Sequence, residues 1–167
     1  MASFSVTNNV YLRNLYSIDR SLSVKNNRTE APTTRLIVAD SSALNKATKT
    51  FSSFNFDDDS KTNKEKFQKT LKSFADAYNY TVSSTSSLKS GQSFNAASKI
   101  KNLTEKYSSE LKSLGISVKN GYMTISSTAA SNISPDQYKE LFGKDSAYMK
   151  ELSSYAKKLG NSIDVSL

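Results

Sequence analysis

The chain has 167 residues, a net charge of +8 and 37% hydrophobic residues, below the roughly 45–50% apolar share of ordinary globular proteins on a slightly different residue set, which predicts one domain with a thin, elongated core. It contains no Cys, His or Trp, so disulfides, thiolate nucleophiles, Cys- or His-based zinc sites and the Ser-His and Cys-His nucleophile pairs are excluded, and no cofactor or metal is expected.

Residues 1–34 read as a flexible N-terminal arm: an apolar group (Val10, Tyr11, Leu12, Leu15, Tyr16) precedes a polar stretch through Asn26, Asn27 and Pro32. The start has neither the cationic residues nor the apolar run of a secretory signal. No window approaches the ~18 apolar residues of a membrane span. The expectation is a soluble chain that stays in the cytoplasm or leaves without a cleaved signal. The four arginines, Arg13, Arg20, Arg28 and Arg35, recur every seven or eight residues. On a helical arm they would make a polyanion-binding stripe; on a loose arm they are solvated charges. The lysines alternate with Ser, Asp and Glu and form no basic run, which argues for solvated faces and against nucleic acid as the partner.

Residues 35–167 read as a single, mainly helical domain. Leu36-Ile37-Val38-Ala39 is a short run of β-branched character and predicts a strand. Asp40 or Ser41 then offers an N-cap to a short helix carrying Leu44, Ala47 and Phe51. The acids Asp57, Asp58 and Asp59 lack the alternation, central Gly and distant Glu of a calcium loop. With Thr62 and Glu65 spaced as a capping box, they suit the positive end of the next helix.

That helix, about 62–88, carries the clearest periodicity: Phe67, Leu71, Phe74, Tyr78, Val82, Thr85 and Leu88. Lys89-Ser90-Gly91 breaks it, and a return helix, about 94–114, carries Ala96, Ile100, Leu103, Tyr107, Leu111 and Leu114 before Gly115. Two such stripes joined by a short loop predict an antiparallel helical hairpin, coiled-coil-like, each stripe burying the other. A narrow pair leaves apolar surface for a third element or another subunit, which makes Phe74, Tyr78, Tyr107 and Leu111 the candidate interaction surface. The tyrosines Tyr78, Tyr107, Tyr148 and Tyr155 lie on apolar stripes and read as core or interface residues rather than a stacking platform.

After Gly115 the period switches to two. Ile116 to Lys119, Asn120-Gly121 and Tyr122 to Ile125 predict a β-hairpin over 116–125 with a type I′ turn. A two-residue loop pairs Lys119 with Tyr122, Val118 with Met123 and Ile116 with Ile125. Ser134-Pro135 begins a short helix carrying Tyr138, Leu141 and Phe142, which Gly143 stops. A last helix starts at Asp145 or Ser146, carries Tyr148, Leu152, Tyr155 and Leu159, and is expected to end at Gly160, with the alternating tail 163–167 as an edge strand. The expected class is mainly α (α+β): a helical bundle with one small β-hairpin and short C-terminal helices.

From Phe74 onward three patterns resemble the C-terminal region of the bacterial flagellar filament cap protein family, also called flagellar hook-associated protein 2. Phe74-Ala75-Asp76-Ala77-Tyr78-Asn79 resembles the family's aromatic then Ala-Tyr-Asn helix. Leu111, Leu114-Gly115-Ile116-Ser117 and Gly121-Tyr122-Met123-Thr124-Ile125 resemble its helix, Gly-Ile step and hairpin. Leu141-Phe142-Gly143 resembles its downstream Leu-Phe segment. The family's variable outer domains and long terminal coiled-coil segments have no counterpart here. The resemblance implies a non-enzymatic structural, assembly or adhesion protein acting through protein-protein contacts or self-association, with flagellin or other filament proteins as partners and an extracellular, flagellar location. A cytoplasmic interaction module or polyanion binder using the basic arm is the alternative.

Overall fold

The computed structural model describes residues 9–164. Among them are eight α-helices and one two-stranded sheet, a mainly α helical bundle with a β-hairpin. The long helices are α2 (Thr33–Ser52), α3 (Lys61–Ser84), α4 (Gly91–Lys106) and α8 (Ala147–Asp164). The short ones are α1 (Val10–Leu15), α5 (Ser108–Ser113), α6 (Ser127–Asn132) and α7 (Lys139–Phe142). The strands are β1 (Ile116–Lys119) and β2 (Tyr122–Ile125).

The strand expected at Leu36–Ala39 is instead the second turn of α2. Ile37, Leu44, Ala47 and Phe51 continue one buried helical face through it, and that long-range burial outweighs the local β preference of Ile and Val. Asp40 is not a cap; it is wholly buried within the helix. The N-cap of α3 is Ser60, whose hydroxyl accepts from the Asn63 N–H at 3.2 Å, rather than the expected Thr62 and Glu65 box. The nearby acids are used locally: Asp58 accepts from the Ser60 N–H, while Asp57 and Asp59 pair with Lys139 and Lys64.

Packing corrects the expected helical pair. α2 is the central helix, packed on α3 along one side and α8 along another, and α8 in turn carries α4; α3 and α4 touch only sparsely. Their stripes are buried, but mainly against α2 and α8 rather than against each other. The return helix is also interrupted at Tyr107, which separates α4 from α5. Small residues let α2 and α8 approach: a Cβ added to Gly160 would lie 3.0 Å from the Ser41 hydroxyl. Gly160 therefore sits inside α8, which continues to Asp164. Residues 163 and 164, expected to begin an edge strand, are helical, and 165–167 lie outside the described residues.

One end of the bundle is an aromatic cluster centred on Phe51, whose ring lies 5.1 Å from Phe142, 5.8 Å from Phe74 and 5.9 Å from Phe67. Phe56 stacks on the same ring, Phe54 meets it tilted, and Tyr138 lies 4.5 Å from Phe67. Such pairs add about 0.5–1.5 kcal/mol each beyond the area they bury, which locks α2, α3 and α7 together.

Residues 9–31 also depart from expectation. Leu12, Leu15, Tyr16 and Leu22 are buried, so this part of the arm is docked on α2 and α3 rather than loose; residues 1–8 lie outside the described residues.

Candidate interaction surface

The hairpin has the expected register, Ile116 with Ile125, Val118 with Met123 and Lys119 with Tyr122. Asn120 (φ 54°) and Gly121 (φ 83°) supply the two positive φ values of the turn. Ile116 and Met123 are buried and Val118 and Ile125 half-buried on its inner face, leaving Ser117, Lys119, Tyr122 and Thr124 outside. Val118 and Met123 form the non-hydrogen-bonded pair, so the N–H and C=O of Met123 point away from β1 to the open edge. Asn79 of α3 takes both: its Nδ2 donates to the Met123 carbonyl at 2.8 Å, and its Oδ1 accepts from the Met123 N–H at 2.8 Å. A single side-chain amide thus acts as a one-residue strand and closes part of the edge of β2.

The chain enters the hairpin at Gly115, whose φ of +79° disfavours other residues, and where an added Cβ would lie 2.8 Å from the Ala129 Cβ of α6. The Leu114 carbonyl before it accepts from the Tyr138 hydroxyl at 2.8 Å. Tyr138 leads into α7, where the Phe142 ring meets the Phe74 ring edge-on at 5.5 Å. The Phe74–Asn79 segment, the Gly-Ile step with its hairpin, and the Leu141-Phe142 turn are therefore one connected packing unit.

Beside this unit, between α5 and the α7–α8 turn, opens a cleft of about 430 Å³ lined by Tyr107, Glu110, Gln137, Glu140 and Asp145. Its three carboxylates are exposed. A second depression of about 420 Å³, lined in part by Phe54, Phe56, Lys139 and Lys144, flanks the other side of the same turn.

The residues chosen from the apolar stripes are placed differently from expectation. Phe74, Tyr78 and Leu111 are interior. Only Tyr107 reaches the surface, half-buried, its ring 5.1 Å from Tyr148. The most apolar positions of a stripe are those the core takes first, so three of the four are core positions. Burial pushes the Tyr78 hydroxyl up to about 12. Among the described residues it has no hydrogen-bond partner, although it lies beside Thr104, which pairs with the Tyr148 hydroxyl at 3.0 Å.

The arginine stripe is likewise dismantled. Arg28 makes a two-pronged pair with Asp40, at 2.7 Å and 2.9 Å, and its guanidinium lies 3.8 Å from the centre of the Tyr80 ring. Arg35 pairs with Asp19 at 2.7 Å, and this bond, with one from Ser21, holds the Asp19 carboxyl below the usual range. Arg13 and Arg20 are exposed. Two of the four are thus occupied by intramolecular carboxylates. The sequence alone does not signal that Asp40 needs a cation, because an acid at the start of an apparent helix reads as a cap.

No helix among the described residues is long and apolar enough to cross a membrane. No family model, no curated protein and no solved structure matches the chain.

Proposed function

We propose that this chain is a non-enzymatic assembly or adhesion protein, similar to part of the flagellar filament cap, that works through contacts with other protein chains. Its partner in this reading is flagellin or another filament protein, met outside the cell. The observation that carries the reading is the convergence of the three family-like segments: Asn79 holds Met123, Tyr138 holds the carbonyl before Gly115, and Phe142 meets Phe74. Patterns scattered over about half the chain are mutual neighbours, as expected of one inherited unit rather than of chance similarities. The contact surface in this reading lies on the outside of that unit, where the exposed Tyr122 stands among Ser117, Lys119 and Thr124. Large amphipathic rings of this kind are favoured at protein interfaces.

Fractionation of the source cells tests the proposal. The chain is expected in the extracellular or filament fraction, in an assembled form. Finding it cytosolic and monomeric in a cell that makes no flagella would overturn the proposal.

A further inference from the structure

We infer that residues 9–31 are a detachable strap, latched to the bundle by the insertion of Arg28 beside the buried Asp40, and that it opens as a unit while the bundle stays folded. The strap consists of the six-residue α1 and two four-residue 3-10 turns, Arg20–Ser23 and Lys25–Arg28. Elements this short do not hold their shape alone in water, so the strap is ordered by what it docks on.

The docking is concentrated at one charged centre. The Arg28 guanidinium grips both oxygens of Asp40, donates to the Leu22 carbonyl at 2.9 Å and lies on Tyr80. The Tyr16 hydroxyl donates to the same carboxylate at 2.7 Å. A single point therefore ties the end of α1, both 3-10 turns, α2 and α3. A buried ion pair loses in desolvation much of what it gains in attraction, so it fixes the strap's register strongly while holding it only modestly.

The remaining fit is loose. A cleft of about 240 Å³ lined by Tyr11, Asn14, Leu15, Lys46 and Thr70 lies where α1 meets α2 and α3. The two most exposed large apolar side chains among the described residues, Val10 and Ile18, both belong to the strap. The latch has two consistent states. With Arg28 in place every oxygen of Asp40 is bonded; with it withdrawn, water must enter. Withdrawal uncovers a face of α2 and α3 that carries Asp40, Tyr80 and the apolar surface beneath Leu12, Leu15 and Leu22.

Amide hydrogen exchange of the intact chain, read by NMR, distinguishes the strap from the bundle. The hydrogen-bonded amides of Tyr16 and Leu22 should exchange at least about a hundredfold faster than those of Leu44 in α2 and Leu152 in α8, as for a sub-global opening. Arg28→Lys keeps the charge but loses the fork and the ring contact, and should speed strap exchange about tenfold or more with α8 unchanged. Equal protection of strap and α8 in the unaltered chain would overturn the inference. So would a parallel rise in both under Arg28→Lys, because strap and bundle would then be one cooperative unit.

Discussion

Asn79→Ala removes both hydrogen bonds that close the edge of β2 and leaves the backbone N–H and C=O of Met123, itself only 3% exposed, without their partner. Each neutral hydrogen bond contributes about 1 kcal/mol net, and an orphaned buried group costs about 1–3 kcal/mol. Asn79 is half-buried, so water reaches part of the vacated space, and the expected loss is about 2–3 kcal/mol. With a urea m-value of about 2 kcal/mol/M, the midpoint followed by circular dichroism should fall by about 1–1.5 M. The Met123 amide should lose protection together with it. Asn79→Asp separates the two bonds. It keeps an acceptor for the N–H but turns a second anionic oxygen on the carbonyl, so the introduced carboxyl has its pKa raised by folding. The deficit should be large at neutral pH and shrink as the pH falls through the carboxyl range, where a protonated oxygen can donate to the carbonyl. A midpoint within about 0.3 M of the unaltered chain for Asn79→Ala, with Met123 still protected, would refute the clamp.

Asp40→Asn leaves the Arg28 guanidinium without its counter-charge. Because the strap can then open and release it to water, the loss in urea unfolding should stop at the strap's own docking energy, below the about 3–5 kcal/mol of a broken pair that stays buried, and replacing both partners by apolar residues of similar size should cost less still. Gly115→Ala should lose about 2–3 kcal/mol, from the positive φ and from the approach to Ala129; adding Ala129→Gly should recover part of the loss, and no recovery would place the whole effect in the backbone. Tyr78→Phe removes a buried hydroxyl that has no hydrogen-bond partner among the described residues and should leave stability unchanged or raise it by about 1 kcal/mol, seen as an equal or higher melting temperature. Burial pushes the Tyr78 and Tyr138 hydroxyls from the ordinary 10.0 up to about 12, and raises Tyr148 by burial and Tyr16 by burial and the Asp40 carboxylate. Folding favours their neutral forms, so the stability they contribute is complete below about pH 10 and is lost as the pH rises above it, through about 12 for Tyr78 and Tyr138. Absorbance at 295 nm should show these phenols ionising together with unfolding; smooth titration of all nine tyrosines near pH 10 in a folded chain would contradict this.

What the sequence revealed was local. Asn120-Gly121 dictates positive φ at two successive positions, and alternation on either side leaves one register, so the hairpin was legible to the residue. Ser134-Pro135 likewise marked a helix start, where the capping box with Gln137 forms. The stripe of α3 was visible because burial at period 3.6 is written in side-chain type.

Partner choice was not legible. Periodicity says that a face is buried but not against what, and α3 and α4 took α2 and α8 as neighbours although their loop suggested each other. Much of the surface those two helices offered was hidden from a reading by type. α2 was masked by a β-branched run and a buried acid, and α8 by a glycine that reads as a stop. The arm failed for a related reason: Asp40 and Arg28 become intelligible only together, twelve residues apart, with Tyr16 and Tyr80 completing the enclosure. Three of the four candidate interaction residues, Phe74, Tyr78 and Leu111, are interior because apolarity at helical spacing is the signal of the core.

Co-sedimentation of the purified chain with purified flagellar filaments, titrated to saturation, tests the proposed role most directly. A saturable fraction bound to the filaments, diminished when the exposed Tyr122 is replaced by Ser while the fold is retained, is the expected result. A chain that stays in the supernatant at every filament concentration, folded and monomeric, would contradict it.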